Sequence, residues 1–197
     1  MDNVNTMTKS IRSILYITFG AVLLSASTGH CDEFDLRLSD DAVHTNIAFE
    51  NEESQIKYGG GYFYKDADNS INILNFDLHS NGQTAIGNLP TTVGLGIQGN
   101  AFKESSVKGS AIGLGGSVRV NLPDAPGLSL ETSLHFAPDV LAFSQAKRFT
   151  RARIQANYRV IRTVDISGGY RYVNTKLKSG EKHTFESGLF LGLKLVF

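Results

Sequence analysis

The sequence is short of the residues that define several common classes. Cys31 is the only cysteine in 197 residues, so no intrachain disulfide framework exists. Tryptophan is absent and there are only 4 prolines. Lys+Arg and Asp+Glu number 19 each, a formal net charge of +0, which gives no electrostatic case for nucleic acid or an acidic surface as partner. Beyond Leu24 no apolar run is long enough for a membrane helix. With 41% hydrophobic residues and a mean hydropathy of -0.11, the composition excludes a helical-bundle membrane protein. It does not exclude a membrane β-barrel, in which only alternate residues meet lipid.

What the sequence has is alternation. Leu189, Leu191, Leu193, Leu195 and Phe197 fall at every second position, with Phe190, Gly192, Lys194 and Val196 between them. Side chains alternate faces along a strand, so this stretch carries a continuous apolar ribbon on one side. Bacterial outer-membrane barrels alternate lipid-facing apolar with lumen-facing polar residues in this way. Leu193, Leu195 and the terminal Phe197 are the expected assembly signal, read by the barrel-assembly machinery.

The N-terminal residues read as a secretory signal of the Sec type. Lys9 and Arg12 precede the apolar run Ile14 to Leu24, and Ser25-Ala26-Ser27-Thr28-Gly29 supplies small residues for cleavage. The expected division is a signal peptide over 1–31 and a barrel over 32–197. His30 stands where a lipoprotein motif would place a small residue, which disfavours lipidation of Cys31.

Period-2 segments then recur: 43–50, 56–64, 71–78, 93–101, 112–122, 128–136, 152–160, 164–172 and 189–197. The shift from Ile71 and Ile73 to Leu74, Phe76 and Leu78 is one residue out of phase and predicts a bulge near Ile73. Polar stretches at 65–69, 102–109, 137–148 and 174–183 are expected to be outer loops, and 50–54, 121–127 and 161–163 periplasmic turns. Nine strands violate the even number of bacterial single-chain barrels, so Phe34 to Ser39 is recruited as a tenth. The fold expected is an all-β, antiparallel transmembrane barrel of ten strands, with eight as the alternative if the first hairpin lies outside.

With the apolar register outward, the inward residues include Arg119, Glu131, His135, Arg151, Arg153, Arg159, Asp165, Arg171 and Glu186, together with Lys57, Asp77, His79, Gln98 and Lys194. Burying such charges costs heavily unless they pair, so a lumen network of ion pairs is one reading. A narrow polar path with an anion bias from the arginines is the other. The interfacial girdle falls to tyrosines such as Tyr62, Tyr64, Tyr158, Tyr170 and Tyr172.

Leu134-His135-Phe136-Ala137-Pro138-Asp139, Tyr158 through Ile166, Gly168-Gly169-Tyr170-Arg171-Tyr172-Val173-Asn174 and Asn88-Leu89-Pro90 together resemble the YfaZ-type family of outer-membrane proteins. The resemblance implies an outer-membrane barrel in a Gram-negative-type envelope. It carries no catalytic or ligand residues to transfer.

The remaining motifs do not make an enzyme. Gly94-Leu95-Gly96-Ile97-Gln98-Gly99 matches the dinucleotide fingerprint by letter, but that motif works only between a strand and a helix N-terminus. His79 and Ser80 are adjacent on a strand and point to opposite faces. Glu131 and His135 share a face, yet four strand positions span roughly 13 Å. No cluster has metal-site spacing. The expectation is therefore a structural or narrow-pore barrel with no catalysis, cofactor or nucleic-acid partner, monomeric and surrounded by outer-membrane lipid. A lipid- or surface-modifying enzyme with a site at the extracellular rim is the alternative.

Overall fold

A computed structural model describes residues 32–197, apart from residues 52, 67–69 and 106. The expected signal peptide lies outside the described residues. Eleven strands form: β1 (Glu33–Leu38), β2 (Ala42–Asn51), β3 (Ile56–Lys65), β4 (Ile71–Ile86), β5 (Leu89–Glu104), β6 (Val107–Asn121), β7 (Leu128–Ala137), β8 (Ala142–Ser144), β9 (Ala146–Ile161), β10 (Val164–Leu177) and β11 (Lys182–Val196). Ten of them pair antiparallel around a closed ring, and the short β8 pairs beside β7 on β6. Closure is made by β1, which aligns Phe34 with Leu195 and Leu36 with Leu193 of β11. The first hairpin is thus part of the wall, and the eight-strand alternative is wrong.

Closure leaves no free edge along the ring, so backbone groups within the wall are paired between strands as a bilayer requires. The outer face supplies the matching surface. Leu74, Leu95, Leu114, Leu134, Ile154, Leu189 and Leu191 are exposed although apolar, the last two by 76% and 74%. A protein made for water rarely leaves so continuous an apolar band uncovered. Tyr58, Tyr62, Tyr158 and Tyr170 are exposed on the same outer face. Among the described residues no helix is long and apolar enough to cross a membrane; the barrel crosses with strands.

Both ends of the barrel wall, at Glu33 and Val196, lie at one rim, called here the terminal end. The two-residue turn Gly87-Asn88 lies at the same rim, where Gly87 takes φ +61° as primed hairpin turns demand. The opposite rim, the far end, carries a 3₁₀ turn at Asp139–Leu141 and β8.

Two expectations fail here. No bulge occurs at Ile73: β4 keeps an unbroken register against β3 and β5. Ile71 and Ile73 face inward, 3% and 2% exposed, while Leu74 and Phe76 face out. The phase change is a change in what fills the lumen, not in the strand. Most of the expected loops are also strand. The β5–β6 hairpin continues in register to Glu104 against Val107, and β10 and β11 stay paired, past a bulge, to Lys176 against Lys182. Polar residues in those stretches extend the wall beyond its apolar band.

The register shifts lie elsewhere: β10 slips against β9 between Val164 and Asp165 and between Lys176 and Leu177, and a third shift is on β11. Val173 faces Glu186 but Asn174 faces Thr184, which leaves Phe185 as the extra residue. That bulge turns two successive side chains inward, and Phe185 and Glu186 are both buried.

Candidate functional site

The lumen has three zones, each built from the inward-facing half of the strands. Nearest the terminal end, Glu33 on β1 accepts from Lys57 of β3 at 2.6 Å and lies 3.3 Å from Lys194 of β11. Glu131 on β7 is shared by Arg153 of β9 at 2.6 Å and Arg119 of β6 at 3.3 Å. Arg159 binds Asp165 through two nitrogens, at 2.8 and 3.2 Å, and is itself half-exposed.

Deeper, polar groups from six strands converge. His44 on β2 lies 3.3 Å from Arg37 Nη1 and 3.2 Å from Arg151 Nη2, the latter contact bridging β2 and β9 across the lumen. Arg37 also pairs with Asp35. Arg151 donates to Asn100 Oδ1 at 3.4 Å. His79 of β4 and His135 of β7 bring their Nε2 atoms to 2.8 Å, although β5 and β6 lie between their strands in the ring. Asp77 accepts from Asn75 at 2.9 Å and from Gln98.

Glycine lets the wall pack closely beside the histidines. A Cβ on Gly96 would lie 2.0 Å from the Leu78 carbonyl and 2.7 Å from His79 Cα. One on Gly115 would lie 1.9 Å from the Leu134 carbonyl and 2.7 Å from His135 Cα. At these two positions the neighbouring strand's backbone comes so close that only a residue without a side chain fits. The glycine run of β5 thus has a structural use. The strand passes straight through it to Glu104, with no helix after it.

The third zone is apolar. Phe63, Phe102, Phe149, Phe185, Ile71, Ile73 and Val173 meet inside the barrel beneath the far end, with Ala42, Ala111, Ala137 and Ala146 around them. Ring centroids of Phe102 lie 4.8 Å from Phe185 and 5.9 Å from Phe149. Directly below, Arg171 makes a two-point ion pair with Glu186, one contact being 2.8 Å, and its guanidinium sits 4.9 Å from the centre of the Phe63 ring. Beyond the phenylalanines, His183 of β11 joins Glu104 of β5.

Between the mouth and this plug lies a cavity of about 1010 Å³. It opens past Glu33, Glu50, Val196 and Phe197, and reaches His44, Asn75 and Arg151; no plug phenylalanine lines it. Among the described residues six carboxylates line it (Asp32, Glu33, Asp35, Glu50, Asp77 and Glu131), against six cations: Arg37, Lys57, Arg119, Arg151, Arg153 and Lys194.

The residues expected from sequence are distributed over these zones. Arg119, Glu131 and Arg153 form one cluster, and His135 and Arg151 stand opposite each other on β7 and β9 at the cavity base. Arg159 and Asp165 form a separate pair outside the cavity lining. Arg171 and Glu186 lie beneath the plug, also outside it. Leu193 and Leu195 face outward against β1 and β10, and Phe197 is exposed with its amide bonded to the Asp32 carbonyl. Sequence reasoning left Asp35, Arg37, His44, Asn75 and Asn100 off the inward list. Asp35, Arg37 and His44 alternate with Phe34, Leu36 and Val43, so the same parity argument would have placed them inside.

These features define a transmembrane β-barrel whose polar lumen is open at one end and filled with apolar side chains at the other. The family model described as YfaZ precursor matches residues 12–197, and the chain belongs to that family. A comparison with curated proteins found no match. Among solved structures, the outer membrane channel DcaP of Acinetobacter baumannii is similar over 83% of this chain and 54% of its own, at 12% identity and a TM-score of 0.40. A bacterial polysaccharide outer membrane secretin is similar over 84% and 65%, at 12% identity and a TM-score of 0.42. An anion-selective porin from Comamonas acidovorans is similar over 79% and 49%, at 10% identity and a TM-score of 0.34. The chain thus spans less than two thirds of each of these relatives.

Proposed function

We propose that this protein is a structural barrel of the outer membrane, closed to conduction at its far end. The observation that carries the reading is the plug. Phe149 and Phe185 are fully buried inside the barrel, Phe63 and Phe102 nearly so, and the cavity stops beneath them. A dry aromatic layer across a lumen admits neither water nor ions without rearranging. The even strand count puts both ends of the wall on one side, which we assign to the periplasm. The barrel is monomeric, surrounded by outer-membrane lipid, and its C-terminal strand with Leu193, Leu195 and Phe197 addresses the assembly machinery.

Catalysis is not part of the reading. His79 faces the lumen while Ser80 is exposed on the other face, and Glu131 is held by two arginines rather than by His135. The test is a planar-bilayer recording on refolded protein, with folding checked by a heat-modifiable gel shift. The wild type should be silent, and the triple variant Phe102→Ala, Phe149→Ala, Phe185→Ala should give discrete steps. Steps from the wild type that change on Arg151→Ala or Arg153→Ala would instead make it a narrow pore.

A further inference from the structure

Charge is balanced along the cavity, but the pairing of its charged groups is uneven. Two of its carboxylates without a cationic partner, Asp32 and Glu50, stand at the mouth, where they accept from the Glu50 amide and from Asn81. The base is different. There Asp35 is taken by Arg37 and Asp77 is held by the amides of Asn75 and Gln98, while Glu131, nearer the mouth, is shared by two arginines. Arg151 alone among the six lining cations has no carboxylate within 4.0 Å among the described residues. Its two terminal nitrogens meet only neutral partners, Asn100 and His44, which are 3% and 2% exposed. His135, 5% exposed, faces it from the neighbouring strand.

A guanidinium presents a planar fork of donors that matches a carboxylate or phosphate, and Arg151, part-exposed to the cavity and without a carboxylate partner, is open to such a ligand. Asn, Gln and His side chains around it add neutral donors that fix orientation. We propose that the base of this cavity is a binding site for a small solute bearing an oxyanion, a carboxylate or a phosphate, with Arg151 as its charged anchor. The carboxylates of Asp32 and Glu50 at the mouth, and Asp77 within, set its limits: the solute is small and presents its anion first, with hydroxyl or amine groups toward the entrance. The inference rests on the closed far end only for the side of entry.

The experiment is isothermal titration of refolded protein in detergent at low salt, with inorganic phosphate and with citrate as probes. The wild type should bind at least one of them saturably. Arg151→Gln should weaken that binding by about tenfold or more, the loss of one charge-assisted pair. Arg151→Lys should recover part of it, and Lys178→Gln, at an exposed far-end turn, should leave it unchanged. Preference for phosphate or for citrate identifies the anion. Should Arg151→Gln fail the gel-shift test, phenylglyoxal modification of the wild type decides: the bound probe should protect Arg151 but not the exposed Arg162. No saturable binding of either probe, equal binding by Arg151→Gln, or no protection of Arg151 overturns the proposal. A barrel that conducts yet binds through Arg151 sinks the closed-end reading and leaves this one standing.

Discussion

Glu186→Gln is the perturbation whose cost the structure sets most directly. Arg171 is 1% exposed and Glu186 3%, and the two are joined by a two-point contact on adjacent strands. Ser39 Oγ donates to the same carboxylate at 3.0 Å, and the faces of Phe63 and Phe190 lie 4.9 and 5.8 Å from the guanidinium. The surroundings offer Arg171 no second carboxylate within 4.0 Å among the described residues. Glutamine keeps the shape but leaves a buried cation uncompensated, which costs about 3–5 kcal/mol. Replacing both partners by apolar residues of similar size removes that penalty along with the pair. Arg171→Met with Glu186→Leu should therefore cost about 1 kcal/mol or less, or be neutral. The assay is urea unfolding of the barrel in lipid vesicles, reading the folded fraction by gel shift, for the wild type, both single variants and the double. The reasoning fails if Glu186→Gln costs under about 1 kcal/mol, the value of a solvated surface pair. It fails equally if the double variant costs as much as the two singles together.

Leu191→Arg tests the outer face. Near the middle of a bilayer an outward arginine costs about 2–4 kcal/mol, whereas on a water-facing wall the change stays within about 0.5 kcal/mol, so unfolding in vesicles separates the two. Gly115→Val should abolish the heat-modifiable folded form, because its Cβ would lie 1.9 Å from a backbone carbonyl that the adjacent ladder holds in place. A normally folded Gly115→Val barrel would show that the close approach in that wall is not obligatory.

The parts legible in the sequence were those where an outward apolar residue alternates with an inward polar one. That pattern placed β11, the inward arginines of β9, and the pairing candidates Glu131 and Asp165. It failed where the lumen itself is apolar. Ile71 and Ile73 obey strand parity, but read as lipid-facing because alternation reports polarity rather than direction, and Phe102 fell in a stretch expected to be an outer loop. Phe185 was hidden for another reason: a bulge sets it inward beside Glu186, and one sequence does not reveal which strand carries the extra residue. The histidine pair lay beyond sequence reasoning because His79 and His135 are 56 positions apart on strands with two others between them, and only closure of the ring brings them together. Polar strand ends were mistaken for loops since composition does not separate a solvated hairpin from a solvated loop.

On the proposed closed-end reading, the plug has an electrical consequence. A recess filled with electrolyte takes the potential of the compartment it opens to, so little of the transmembrane voltage falls along it. Nearly all of the drop is compressed into the slab formed by the four phenylalanines, with Arg171 and Glu186 at its inner surface and His183 and Glu104 at its outer one. The insulating thickness of this protein is therefore that of one side-chain layer rather than of the membrane, and the local field there is correspondingly steeper.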